Sequence, residues 1–243
     1  MNKLKEFFKQ IKWYEYLIIA SFCVSVLIVG ILFGSTAMII VDSILGITYI
    51  FLNAKGFLIA NLFGLTRNIL YAIICINNRY YGEVVVCCVS IVVIIITFIT
   101  WYKNRANNSI NLKIGKAMSW QNYLILFACM AVVPVGIYFM LKAFNTQNLI
   151  ISTLSVTLNL GANILLAKRL ESNFYVFMAN NIMCFVLWLL IVLKGEMSYI
   201  PTLINIIVFF TLNIFGVINW NRLKKQQRQA EIENLINEKQ NKE

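Results

Sequence analysis

The side chains best placed to do chemistry are amides and one guanidinium inside apolar stretches. Arg67 and Asn68 lie near the middle of the apolar run from Asn61 to Gly82. An amide in apolar surroundings is costly unless it is paired, so each must find a partner. Singly, each amide is explained by hydrogen bonding between helices. Together, at similar depths, the set favours a polar cavity; its other members are Asn159, Asn163, Asn180, Asn181, Asn205 and Asn213.

The sequence motifs of common catalytic, metal-binding and phosphate-binding sites are absent from the chain. The chain has no histidine, so no Ser-His-Asp or Cys-His set can form. Its six cysteines all fall in apolar stretches without a CxxC spacing, which fits small apolar filler better than zinc binding or thiol chemistry. No glycine-rich phosphate loop is present. We therefore predict no metal, no cofactor and no enzymatic activity.

The composition defines what must position these amides. Of 243 residues, 60% are hydrophobic and 13% charged, and the mean hydropathy is +0.76. Soluble domains have roughly 45–50% apolar and about 25% charged residues. The excess apolar surface must face lipid, so we predict an all-α integral membrane protein.

Eight stretches are long and apolar enough to cross a bilayer as helices. Only Ser35 and Thr36 separate the first two, which predicts a tight hairpin. The eight predicted spans are Leu17 to Gly34, Ala37 to Asn53, Phe57 to Asn77, Val84 to Tyr102, Tyr123 to Leu141, Leu149 to Leu166, Phe174 to Leu193 and Pro201 to Trp220.

The basic residues indicate orientation. Lysine and arginine concentrate before the first span and after the fourth, sixth and eighth, whereas the alternate loops hold only Arg79, Lys142 and Lys194. Short basic loops prefer the cytoplasm, so both termini are predicted there. The net charge of +11 then faces the bilayer surface. It lacks the interleaved aromatics of a single-strand groove, so we predict no nucleic-acid binding.

Two pairs of similar short segments within the chain predict an internal repeat. Asn68 to Ala72 resembles Asn163 to Ala167, and Phe98 to Asn104 resembles Val217 to Leu223. Two triplets of spans joined by one linker helix would lie parallel, with a site between them at mid-membrane. The predicted organisation is a cytoplasmic N-terminus (1–16), an extra helix (17–34), a first triplet (37–102), a linker helix (123–141), a second triplet (149–220) and a charged cytoplasmic tail (221–243).

Several motifs resemble one transporter family. The segment "NLFGLTRNILYAI" followed by "RYYGEV", the spacing in "NNIMCFVLW" and the ending "TLNIFGVINW" are similar to the PnuC family of nicotinamide riboside transporters. The resemblance covers about residues 37–220. It implies an architecture similar to the SWEET sugar transporters, here with an extra N-terminal helix.

The resemblance also implies a function. Family members carry vitamin precursors or nucleoside-like compounds by facilitated diffusion, and a cytoplasmic kinase traps the product without required contact. Asp42 and Glu83, the only acids in or beside the core spans, lie near the outer surface, so no ion coupling is predicted. We expect a multi-pass protein of the bacterial cytoplasmic membrane that binds a small-molecule substrate. The resemblance also suggests a homo-oligomer, a trimer as in the family.

Matching positions give the predicted site. Arg67, Asn68, Tyr71, Asn180, Trp188 and Asn213 fall where family motif residues face the cavity, and Asn163 joins them from the amide set. Trp188 would stack on a pyridinium or, alternatively, face lipid. Trp101 and Trp220 are predicted in an interfacial belt. Arg67 lies too deep to reach the interface easily, so we predict an ion pair with Asp42 that forms a gate or the cavity wall.

Departures from the family leave the substrate open. Phe174 and Val176 stand where relatives commonly carry a tryptophan pair, and Cys87 or Cys88 replaces an amide. A deoxynucleoside, thiamine or riboflavin is therefore an alternative, as is a non-transporting scaffold whose tail binds a partner. The tail itself has a weak apolar stripe of Ala230, Ile232, Leu235 and Ile236 and is predicted to be a solvated helix.

Overall fold

The computed structural model describes residues 11–77, 81–105, 112–116, 118–146 and 148–240. This part of the chain is helical, with a 3-10 turn at Met197–Tyr199 and one isolated bridge between Arg105 and Leu112. The eight predicted helices are confirmed. They are α1 (Trp13–Leu32), α2 (Ala37–Ala54), α3 (Ala60–Asn77), α4 (Tyr81–Lys103), α5 (Trp120–Ala143), α6 (Leu149–Ala167), α7 (Asn173–Leu193) and α8 (Ile200–Gln240).

Seven of these helices are long and apolar enough to cross a membrane, which makes the chain a multi-pass membrane protein. The exception is α3, whose described apolar part, Ala60–Ile76, is shorter and carries Arg67 and Asn68. The tight hairpin between α1 and α2 turns at Gly34, which has a positive φ of 65°. Glycine adopts that conformation without the steric penalty of a side chain.

Six helices close into a ring that positions the site. Each of α2, α3, α4, α6, α7 and α8 packs on the next, and α8 packs back on α2. Helix α1 lies outside the ring against α2 and α8, and α5 lies outside it against α6. Division of the ring into two triplets, with α1 as an extra helix and α5 as a linker, stays a prediction with which this packing agrees.

Helices α2 and α6 end in the same way. The residue after each C-cap has a positive φ, 72° at Gly56 and 62° at Arg169, and the two lie 113 positions apart. The backbone amide of the following residue then donates to the carbonyl five residues earlier. Phe57 donates to Leu52 at 3.0 Å, and Leu170 donates to Leu165 at 3.1 Å. These are Schellman-type ends, which satisfy the last carbonyls of a helix.

The two triplets exchange equivalent hydrogen bonds. Trp101 at the end of α4 donates its Nε1–H to the carbonyl of Leu166, which lies near the end of α6, at 3.1 Å. Trp220 on α8 donates in the same way to the carbonyl of Asn53 near the end of α2, also at 3.1 Å. The two indole centroids are 5.9 Å apart. Equivalent contacts of this kind are expected between parallel repeats, and the repeat remains a prediction that they support.

Two expectations are wrong. The similarity between Asn68–Ala72 and Asn163–Ala167 pairs α3 with α6, but α3 is the middle helix of its triplet and α6 is the first of its own. The belt prediction also fails, because Trp101 and Trp220 are only 1% and 0% exposed. The prediction of an interfacial belt used only the position of each tryptophan along its span. It could not show that these indoles face the interior of the ring and not lipid.

One end of the ring is basic and closed. We call it the basic end, because Lys55 and Lys168 cap α2 and α6 there. It is closed by a fully buried cluster that we call the aromatic plug, whose members are Trp101, Leu112, Leu166, Phe174 and Trp220. Phe174 meets Trp220 edge to face, with centroids 5.1 Å apart.

Helix α8 continues past the basic end without interruption. Gln227 donates to the carbonyl of Leu112 and accepts from the amide of Ile114, both at 2.9 Å, which ties the helix to residues 112–116. In the predicted apolar stripe, Ile232 and Ile236 are about half exposed. Arg79 and the side chains of Glu83 and Leu235 lie outside the described residues.

Candidate functional site

The ring encloses a cavity of about 220 Å³ to which all six of its helices contribute. Every residue that the sequence nominated for binding or gating lines it, although what each does there remains a prediction. These residues are Asp42, Arg67, Asn68, Tyr71, Asn163, Asn180, Trp188 and Asn213.

The lining follows the proposed repeat. The lining residues of α4 are Val86, Cys87, Ser90 and Ile94, and 119 positions later α8 contributes Asn205, Ile206, Phe209 and Asn213. Helix α3 contributes Arg67, Asn68, Tyr71 and Ile74, and 113 positions later α7 contributes Asn180, Asn181, Cys184 and Leu187. The two walls therefore match in position and differ in chemistry.

One wall carries a charge pair. Arg67 Nε lies 3.5 Å from Asp42 Oδ1, close enough for an ion pair. Neither of these two atoms has a hydrogen-bond partner among the described residues. The guanidinium also lies over two rings, 5.7 Å from the centroid of Tyr71 and 5.4 Å from that of Phe209. Its charge is thus balanced by a carboxylate and two aromatic faces.

The opposite wall carries a neutral pair at the equivalent positions. Ser155 Oγ donates to Asn180 Oδ1 at 2.9 Å, joining α6 to α7. Ser155 and Asn180 follow Asp42 and Arg67 by 113 positions each. The same two places in the repeat therefore hold an ion pair in the first triplet and a serine–amide hydrogen bond in the second.

Two of the nominated amides are anchored within their own helices. Asn68 Nδ2 donates to the carbonyl of Gly64 at 2.8 Å. Asn163 Nδ2 donates both to the carbonyl of Asn159 at 2.9 Å and to its Oδ1 at 2.8 Å. These bonds do not cross between helices, so neither amide acts as interhelical glue through its nitrogen. Each can offer a ligand its oxygen.

Three further amides have unpaired atoms. Asn53 Oδ1, Asn205 Oδ1 and Asn181 Nδ2 are buried without a hydrogen-bond partner in the described part of the chain. All three residues line the cavity. Buried amide groups are nearly always paired, so two acceptors and one donor beside the cavity have unmet hydrogen-bonding capacity.

An aromatic pair lines the end of the cavity away from the basic end. Trp188 and Tyr199 have ring centroids 5.0 Å apart with planes inclined by 41°. Both line the cavity, so Trp188 faces inward and the lipid-facing alternative is wrong. At the other end, the plug residue Trp220 lies two turns beyond Asn213 on α8, about 10 Å along the axis.

Sequence reasoning missed several lining residues. It gave no role to Asn53, Tyr49 or Tyr199, nor to the serines, which are Ser43, Ser90 and Ser155. Serines in apolar helices usually bond to their own backbone, so their presence carries no signal. Asn53 and Tyr199 lie at the edge or outside of predicted spans. Of the departures from the family, Cys87 lines the cavity, whereas Phe174 belongs to the aromatic plug.

Comparisons with known proteins agree with this architecture. Residues 36–222 match a family model described as "Nicotinamide mononucleotide transporter". The chain is 24% identical over 192 residues to a protein of Neisseria mucosa named "Nicotinamide riboside transporter PnuC", covering 76% of this chain and 72% of that protein. It also resembles a solved structure, "Crystal structure of the Vitamin B3 transporter PnuC", with a TM-score of 0.77 at 21% identity over 89% of this chain and 94% of the other. That likeness shows the fold.

Proposed function

The chain belongs to the nicotinamide mononucleotide transporter family, and we propose that its substrate is nicotinamide riboside, carried across the bacterial cytoplasmic membrane by facilitated diffusion. Members of this family are membrane transporters and not enzymes. The observation that carries the proposal is the cavity itself, in which unpaired amide atoms and an aromatic pair converge between two helix triplets. Such a site suits a small ligand with several hydroxyl groups and a flat ring.

The charges of the cavity favour the riboside over the mononucleotide. Asp42 and Arg67 are the only charged residues among the described lining, and they pair with each other. A phosphate would bring a charge of about −1.5 to −2 and would need free cations. Nicotinamide riboside carries one positive charge and no phosphate, so the balanced lining suits it better.

The two ends of the cavity suit different parts of this substrate. Trp188 and Tyr199 offer ring faces to the pyridinium, a contact worth about 0.5–2 kcal/mol. The amides, among them Asn205 and Asn213, suit the ribose hydroxyls and the carboxamide. Arg67 would be unfavourable beside the cationic ring, so its role is to contact hydroxyls or to hold Asp42.

The proposal of facilitated diffusion is supported by the described cavity lining, in which the carboxylate is paired. A coupled carrier usually has an acidic residue in the membrane that binds the ion or proton. The one carboxylate in the described lining, Asp42, is already beside Arg67. Accumulation would then depend on a cytoplasmic kinase that phosphorylates the riboside. We place the basic end, and with it both termini, in the cytoplasm; a homo-oligomer such as a trimer remains a prediction.

The test is uptake into liposomes that contain the purified protein, a trapping kinase and ATP. We expect saturable uptake of labelled nicotinamide riboside, without dependence on a sodium or proton gradient, and none of the mononucleotide. Uptake of thiamine, riboflavin or a deoxynucleoside instead would overturn the assigned substrate. No saturable uptake of any of them would favour a scaffold.

Variants test the site within the same assay. Trp188→Ala and Asn213→Leu should raise KM at least tenfold while the protein stays monodisperse. Matched controls are Trp120→Ala, at a side chain that is 79% exposed, and Asn122→Leu at an exposed position. Equal losses in the site and control variants would contradict a binding role for the cavity.

A further inference from the structure

A second cavity, separate from the first, opens between α4 and α6 at the basic end. Its volume is about 570 Å³, and we call it the basic groove. Val93, Ile96 and Ile164 form part of its apolar wall. Ile96 and Ile164 are 51% and 40% exposed, so this wall faces the surroundings of the ring. Three cationic residues complete the groove, which are Lys116, Lys168 and Arg169.

The equivalent place in the other half of the ring is filled by the chain itself. It lies between α8 and α2, and α1 packs there against both helices. Lys55, which precedes Lys168 by 113 positions, meets Glu15 of α1 with Nζ and Oε2 2.6 Å apart. Both of these side chains are more than nine-tenths buried. An apolar body with one anionic group therefore covers this inter-triplet junction.

Within the described part of the chain, nothing comparable covers the basic groove. Helix α5 packs on α6 but makes no substantial contact with α4. Lys116 and Lys168 form no ion pair with any described residue, and the described lining of the groove contains no acidic residue. Arg169 donates Nη1–H to the carbonyl of Lys113 at 3.1 Å, while its buried Nε has no partner among the described residues.

We propose that the basic groove binds one anionic phospholipid, whose phosphate contacts Lys116, Lys168 and Arg169 and whose acyl chains lie along Ile96 and Ile164. Basic pockets between membrane helices bind such headgroups, and each nearby lysine or arginine contributes to the attraction. A soluble anion would leave the apolar wall uncovered. A second copy of this chain, with a net charge of +11, would add positive charge to the three cations.

The test is lipid retention by the full-length protein, measured by native mass spectrometry in detergent. Added phosphatidylglycerol should bind in preference to phosphatidylcholine, with one tightly held copy assigned to the groove. The double variant Lys116→Gln/Lys168→Gln should hold that copy roughly thirtyfold more weakly, as expected for two lysines. Arg169 is kept, because its bond to the Lys113 carbonyl also supports the local backbone.

Controls separate the site from general attraction to lipid. Lys142→Gln/Lys194→Gln removes two exposed lysines at the opposite end and should leave the tight copy in place. Ile96→Trp narrows the groove at its apolar wall without changing the charge, and should release the tightly held lipid. An equal weakening of lipid binding in the two double lysine variants would overturn the proposal. So would displacement of the lipid by inorganic phosphate alone, or self-association through the groove that lipid does not reverse.

Discussion

The charge pair in the cavity can be replaced by the pair that stands at the equivalent place in the second triplet. Asp42→Ser leaves Arg67 without its carboxylate, and Arg67→Asn leaves Asp42 without its guanidinium. The double variant Asp42→Ser/Arg67→Asn recreates the residue types of Ser155 and Asn180, which already form a 2.9 Å hydrogen bond. If the two walls share one backbone geometry, the double variant should be more stable than either single variant.

The magnitude follows from the structure. Two unit charges 3.5 Å apart attract by about 5 kcal/mol at an effective dielectric constant near 20. The Arg67 side chain is 25% exposed and borders the cavity, so solvent reduces the net loss to about 2 kcal/mol for either single variant. For a chain of this size that lowers Tm by about 4–8 °C. A serine–amide bond contributes about 1 kcal/mol, so the double variant should fall within about 3 °C of the parent.

The assay is the fraction of monodisperse protein after heating, read by size-exclusion chromatography, together with uptake by the same preparations. If the double variant lowers Tm by as much as the two single variants together, the two walls are not equivalent. If Arg67 also contacts substrate hydroxyls, the double variant should recover Tm while its KM for the riboside stays raised. Recovery of both Tm and KM would leave Arg67 with a structural role only.

Three further changes test the packing. Gly216→Ala would place a Cβ in steric conflict with the ring of Phe174, so we expect about 1–3 kcal/mol of destabilisation and a lower Tm. Glu15→Gln leaves the buried Lys55 cation without its carboxylate and should cost about 3–5 kcal/mol, whereas replacing both by apolar residues should largely restore Tm. Trp101→Phe keeps an aromatic ring but removes the hydrogen bond to α6, and should cost about 1–3 kcal/mol by the same measurement.

Hydropathy was sufficient to predict the helices, because lipid imposes a length and an apolar composition on spanning segments, which all of them but the shorter α3 meet. The cavity residues were predictable for a related reason. A buried amide or guanidinium is costly in an apolar helix, so residues such as Arg67, Asn180 and Asn213 mark the surface that faces away from lipid. All the nominated residues do line one cavity.

The remaining features depend on which face of a helix meets its neighbours. In the sequence, Trp101 and Trp220 fall at the ends of predicted spans, where interfacial tryptophans are common, and only packing reveals that they meet inside the ring. Tyr199 reaches the cavity from a short turn between helices, where sequence periodicity has no meaning. The basic groove arises because α1 covers one junction and none of the described helices covers the other, which composition alone cannot indicate.

The unbroken length of α8 has a mechanical consequence. Its 41 residues form one rod of about 60 Å, of which about 30 Å extends beyond Trp220. Any rocking of the second triplet that opens the cavity must carry this rod with it, because no hinge interrupts the helix. A tilt of about 10° would move the far tip by about 5 Å at that length. If the second triplet rocks during transport, the extension would act as a lever that converts a small change around the substrate into a larger displacement of its tip, which a pair of fluorophores could follow.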